Sequence, residues 1–325
     1  MGRFNDLPLA RRYDACDDDG ALAAAASRCP QLLQLSLQGF DLAATAGNAA
    51  GATLAHLTRL ELRDCQIPGS DPALKLASLM PRLEVLECGG DRRRGCGKAA
   101  AGHPALRELR LSLQWMDEDD DDDANSPADW CSALSTLPRL SDLRLSVFGE
   151  LAGEADTVYY WCDPSGVKFA AESLRGCVEL TRLDFSALVY PRLHDMLAMV
   201  GAAAGRRLEW LRLKFAPLKE GVLADEAREF WALLLHYPCL KHLEVQLDLT
   251  VPSDSKSPPE APAMDEALTA MLRTLEVVLP HCPALDEVVF GVGWSSGKQR
   301  QLPRCTAYCG ELAAAFPGRR LKLGF

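Results

Sequence analysis

One apolar rhythm runs through almost the whole of this chain, and it leaves few folds open. Residues 29–37, Cys-Pro-Gln-Leu-Leu-Gln-Leu-Ser-Leu, set Leu32, Leu35 and Leu37 at spacings of three and two. The triplet returns as Leu57, Leu60, Leu62, as Leu83, Leu86, Cys88, as Leu106, Leu109, Leu111 and as Leu140, Leu143, Leu145. It continues as Leu180, Leu183, Phe185, as Leu208, Leu211, Leu213, as Leu240, Leu243, Val245 and as Leu285, Val288, Phe290. A shortened tenth copy ends in Leu321 and Leu323. The first member is Leu in all nine full copies and all 27 positions are apolar, so the repeat dictates the architecture.

The last two members of each triplet flank a single residue, which is the spacing of neighbours on one face of a strand. The earlier Leu turns inward as the chain enters that strand. Helical stretches precede the triplets at 20–28, 72–80, 129–137, 169–176, 193–204, 224–236 and 264–279. A proline two residues before the first Leu, present in six of the nine copies, ends the helix because it has no N–H and clashes with the preceding turn. Strand-and-helix units repeated with one hand stack into a solenoid. The expected fold class is α/β, with parallel strands on the concave face and helices on the convex one.

The form Cys-Pro-x-Leu-x-x-Leu-x-Leu at Cys29-Pro30 and Cys282-Pro283, with Cys65 following the strand in residues 57–67, resembles a known family. It is similar to leucine-rich-repeat proteins of the ribonuclease-inhibitor-like class, most of all to the repeats of F-box-type leucine-rich proteins. The resemblance covers about residues 20–325 and implies an irregular solenoid of about nine or ten repeats. It further implies the substrate-receptor part of a ubiquitin ligase. An F-box is a separate helical module ahead of the repeats, and residues 1–20 are too short and too acidic to be one, despite Phe4–Pro8. The chain departs from the family in a second way. The asparagine that the common repeat places three residues past the strand Leu is replaced throughout, and only three Asn occur in the chain.

Repeat starts lie 25, 26, 23, 34, 40, 28, 32 and 45 residues apart, longer in places than an ordinary unit. The surplus falls between strand and following helix, giving inserts near 113–128, 146–166 and 248–263 that share one rim. Residues 21–325 are therefore expected to form one solenoid domain, with 1–20 a flexible N-terminal segment. The seven consecutive acids at 117–123 read as a solvated, self-repelling loop or a docking tag for a basic partner. The aromatic cluster at 157–163 reads as packing onto the solenoid or as a ligand contact.

The chain of 325 residues carries a net charge of −10, which speaks against nucleic acid and against anionic membranes. No stretch has the length and apolarity of a signal peptide or a membrane-spanning helix. Its twelve cysteines are scattered with no Cys-x-x-Cys, so reduced thiols and a cytoplasmic or nuclear location are expected. Cys29, Cys177 and Cys282, each three residues before a repeat Leu, are expected to be buried.

No catalytic constellation emerges. Residues 89–100 and 293–299 fail the phosphate-loop spacing, and no G-x-S-x-G or H-E-x-x-H occurs. Cys305 and Cys309, at i and i+4 on an expected helix, have no further ligands nearby to complete a metal site. No enzyme activity, cofactor or metal is expected, and the chain is expected to be monomeric with a protein partner.

Function is expected on the concave face. The residue between the two strand apolars is Ser36, Glu61, Glu87, Arg110, Arg144, Asp184, Arg212, Glu244, Val289 or Lys322, eight of the ten charged. Two residues earlier stand Arg59, Glu108, Asp142, Arg182, Trp210, His242 and Glu287. Lateral ion pairing between neighbouring strands would account for much of this charge, each exposed pair contributing about 0–1 kcal/mol. Arg144, Arg182, Asp184, Trp210, Arg212 and Glu244 form the expected protein-binding centre, because interface hot spots favour Trp and Arg. Two other readings stay open: an immune-receptor-like or inhibitor-type recognition module, and a GTPase regulator or enzyme using an isolated rim residue.

Overall fold

In the computed structural model the repeat becomes one ten-stranded sheet, β1 to β10 in chain order, every neighbouring pair parallel. The strands are β1 (Gln34–Gln38), β2 (Arg59–Arg63), β3 (Val85–Gly89), β4 (Glu108–Trp115) and β5 (Asp142–Gly149). They continue as β6 (Arg182–Ala187), β7 (Trp210–Phe215), β8 (His242–Asp248), β9 (Glu287–Gly293) and β10 (Arg320–Gly324). Described are residues 28–40, 53–65, 72–89, 100–115, 133–149, 174–187, 197–198, 200–215, 229–248, 261–293 and 302–324. The N-terminal segment, the acid run 117–123, the aromatic cluster 157–163 and most of the three inserts lie outside them.

Every strand holds its expected register: Leu60 lies opposite Leu35 and Leu86, and so on through Val288 opposite Leu243 and Leu321. From β2 to β9 the repeat apolars are at most 4% exposed, Phe185 excepted, which is half-buried. Their opposite wall comes from the helical segments. α1 (Pro72–Leu79) contributes Leu76, and α2 (Ala261–Val278) contributes Leu268, Met271, Leu272 and Leu275, all within one continuous core. α3 (Pro303–Ala315) closes the last unit with Cys305, Cys309 and Leu312 buried. Two large side chains with polar tips are also buried. The indole N–H of Trp231 donates to the Met271 carbonyl at 2.8 Å, and the Tyr237 hydroxyl donates to the Leu197 carbonyl at 2.6 Å. Each tip thus keeps a partner, as burial of such groups requires.

The helix-to-strand joint has a second source of uniformity beyond helix termination. In eight of nine units the first repeat Leu donates its N–H to the carbonyl three residues back, at 3.0–3.3 Å, closing a four-residue turn. The repeat proline occupies the second position of that turn, where its fixed φ is suited. In the remaining unit Leu208 reaches Ala204, four residues back, after the π-helical turn Gly201–Gly205. Just past the turn a shared acceptor starts the sheet. The Thr58 carbonyl takes the N–H groups of both Glu84 and Val85, and Ser141 does the same for Thr181 and Arg182. The joint therefore cannot change length without breaking the ladder, whereas the strand-to-helix return can.

Of the three thiols expected to be buried, Cys177 is 0% exposed, while Cys29 and Cys282 are half-buried. Cys29 belongs to the first described unit and has a described neighbour on one flank only. Cys282 borders a small crevice lined by Leu234, Tyr237, Pro238, Leu240, Ala284 and Leu285. Among the described residues no helix is long and apolar enough to cross a membrane.

Candidate protein-binding face

Strand alternation turns the residues between the core leucines away from the helices, and parallel in-register pairing lines them up in rows across the sheet. One row joins Glu87, Arg110, Arg144, Asp184, Arg212 and Glu244 through consecutive pairings from β3 to β8. The row beside it joins Glu108, Asp142, Arg182, Trp210, His242 and Glu287 from β4 to β9. All six residues expected at the binding centre fall in these two rows on β5 to β8.

The second row is stacked as well as paired. The Arg182 guanidinium lies 3.8 Å from the Trp210 ring centroid on one side, and the His242 ring stacks on Trp210 at 5.3 Å with planes 5° apart. An ion pair closes one end, Asp142 to Arg182 at 3.5 Å, and a hydrogen bond between His242 Nδ1 and Glu287 at 3.1 Å closes the other. Trp210 is therefore half-buried between two neighbours rather than standing free as an anchor. Arg–aromatic and ring–ring contacts of this kind contribute about 0.5–2 kcal/mol each.

The other row is held by shared arginines. Arg212 reaches Asp184 at 3.4 Å, Glu244 at 3.1 Å and the side-chain carbonyl of Gln246 at 3.0 Å. Arg144 reaches Asp142 at 3.1 Å and Glu108 at 3.5 Å, and the hydrogen bond to Asp142 raises its pKa further. Arg110 links Glu87 at 3.3 Å to Glu108. Asp184 is the electrostatic exception. Burial pushes its carboxyl up from the usual carboxylate range, against the pull of Arg212, Arg144 and Arg182. The lateral pairing expected from the sequence is thus present, and it fixes the side chains in place.

His242, Glu287 and Asp142 belong to the structured face although they stand outside the expected centre. The signal for them was available, since each occupies the outward position two residues before a charged or central one. What sequence could not supply is that the stack runs along one row, across strands, rather than between rows. Chemically the face offers charge pairs, a π-stack edge and a row of hydroxyls from Ser112, Ser146 and Ser186 in register. Among the described residues no three His, Cys, Asp or Glu side chains are placed to hold a metal ion.

The chain matches no protein-family model and no curated protein. Among solved structures it is similar to the crystal structure of the TLR13-ssRNA13 complex, at 12% sequence identity and a TM-score of 0.29. The match covers 79% of this chain and 41% of that one. The assignment of a leucine-rich-repeat solenoid rests on the ten-strand order, the register and the repeat itself.

Proposed function

We propose that this chain is a non-enzymatic recognition scaffold, one solenoid over residues 21–325, that holds a protein segment on its concave face across β5 to β8. The observation that carries this reading is the row Asp142–Arg182–Trp210–His242–Glu287, in which stacking, an ion pair and a hydrogen bond fix polar and aromatic side chains before any partner arrives. Fixed side chains lose less entropy on binding, and Arg and Trp are the residues that most often dominate interface energies. With strands about 4.8 Å apart, four of them present a patch on the order of 15–20 Å across, enough for a peptide or a helix face.

Arg144, Asp184, Arg212 and Glu244 supply the charge pattern that a partner must match, and Trp210 with Arg182 supplies the contact area. Within this reading the F-box-like resemblance makes the chain the substrate-receptor part of a ubiquitin ligase, monomeric and acting in the cytoplasm or nucleus. Affinity capture followed by mass spectrometry, with the unaltered chain and the Trp210→Ala/Arg212→Ala variant side by side, tests the site. Loss of one and the same partner, by about 2 kcal/mol or more in affinity, is expected. Because both side chains also brace the face, the variant should lose about 1–3 kcal/mol of stability as well. If it melts earlier yet captures the partner undiminished, the face is structural and binding lies on the insert-bearing rim. Copurification of ligase subunits with the full chain tests the ligase assignment separately.

A further inference from the structure

Inside the sheet a cation on the concave face can be bracketed by carboxylates from both sides. Arg212 on β7 lies between Asp184 of β6 and Glu244 of β8, at 3.4 and 3.1 Å. The last strand shows half of this arrangement. Arg320 and Lys322 on β10 both reach Glu287 of β9, at 3.3 and 2.7 Å, and Glu287 is already shared with His242. The two cations remain 68% and 58% exposed.

The same strand differs from the inner strands in two other respects. It pairs with β9 alone, so among the described residues its outer edge offers backbone N–H and C=O groups with no adjoining strand. Its core-facing Leu321 and Leu323 are half-buried, whereas their counterparts on β8, Leu243 and Val245, are 0% exposed. The opposite end of the sheet makes a useful contrast. β1 is also an edge strand, but its outward residues Gln34, Ser36 and Gln38 carry no charge.

We propose that the outer edge of β10 takes up an extended acidic segment of another protein, added as an eleventh parallel strand. Its acidic side chains would alternate with apolar ones. The acids, opposite Arg320 and Lys322, would complete the bracketing seen around Arg212, and the apolar residues between them would cover Leu321 and Leu323. Main-chain pairing supplies affinity in this mode and the alternating side chains supply specificity. The edge lies outside β5 to β8, so the inference stands whatever binds the centre of the face.

The test uses the full chain and a fluorescein-labelled peptide of alternating glutamate and valine, followed by fluorescence anisotropy and by hydrogen exchange at residues 320–324. Expected is saturable binding that protects these amides and weakens about tenfold or more with Arg320→Glu/Lys322→Glu, with circular dichroism confirming that the variant is folded. A peptide N-methylated at alternate amides should bind at least about tenfold less well, since it cannot pair with the edge. Glu287→Gln, which removes the competing carboxylate, should tighten binding. The proposal is overturned if charge reversal leaves binding unchanged, if the N-methylated or a lysine–valine peptide binds equally, or if no saturation is reached at about millimolar peptide. Concentration-dependent dimerisation that protects 320–324 without peptide would also overturn it, by assigning the edge to a second copy of the chain.

Discussion

Asp265 is 4% exposed, and both of its carboxylate oxygens accept from the first turn of α3, Oδ1 from the Cys305 N–H at 2.8 Å and Oδ2 from the Arg304 N–H at 3.0 Å. The residue lies on α2, so one helix caps the next from a distance of 39 and 40 positions in the chain. A negative group at a helix start also meets the positive end of its dipole. Asp265→Ala should cost about 1–3 kcal/mol, because it leaves the buried Cys305 N–H and the part-buried Arg304 N–H without acceptors; urea unfolding checks the value. Two buried thiols are unreactive because of their burial. Burial pushes Cys305 up to about 12, and Cys177, 0% exposed, to about 11. Since the thiolate is the reactive form, neither should react with an aromatic disulfide at neutral pH until the chain unfolds, whereas exposed Cys239 should react at once. Raising the pH within the folded range should leave Cys305 and Cys177 silent.

At the level of elements, adjacent helix-to-strand joints press together closely enough to forbid a methyl group. A Cβ built on Gly205 would lie 2.6 Å from the His236 carbonyl oxygen, and one on Gly176 would lie 2.8 Å from the Ser135 carbonyl oxygen. Both meet backbone, which cannot swing aside. Gly205→Ala should therefore destabilise by about 1–3 kcal/mol, read as a lower midpoint at unchanged slope in urea. Strand placement was fully legible in the sequence, because the three-and-two spacing admits one register and any slip would expose Leu143 and Leu145. The joints were legible only as helix ends; that the repeat proline sits inside a hydrogen-bonded turn depends on a donor, such as the Leu140 N–H, which carries no side-chain signature. The site was legible as a list of outward positions. Its coherence was not, since the contact of Arg182 with Trp210 joins residues 28 apart and depends on twist and rotamer.

For the molecule as a whole, each strand pairs only with its sheet neighbours, and stability is then a sum of unit and neighbour terms rather than one indivisible quantity. The ends are the weak places, with Leu35 on β1 and Leu321 and Leu323 on β10 half-buried against the fully covered leucines of β4 to β8. Native-state hydrogen exchange should consequently show a gradient, with amides of β5 to β7 slowest and those of β1 and β10 opening at much lower free energy. A flat profile would indicate an all-or-none unit instead. The single ladder of hydrogen bonds has a mechanical meaning too. Its bonds point from strand to strand, so a stretching force applied between the first strand and the last acts along them and loads the outermost bonds first. Pulled in this direction, the protein should behave as a spring that pays out one coil at a time at low force and rewinds when released.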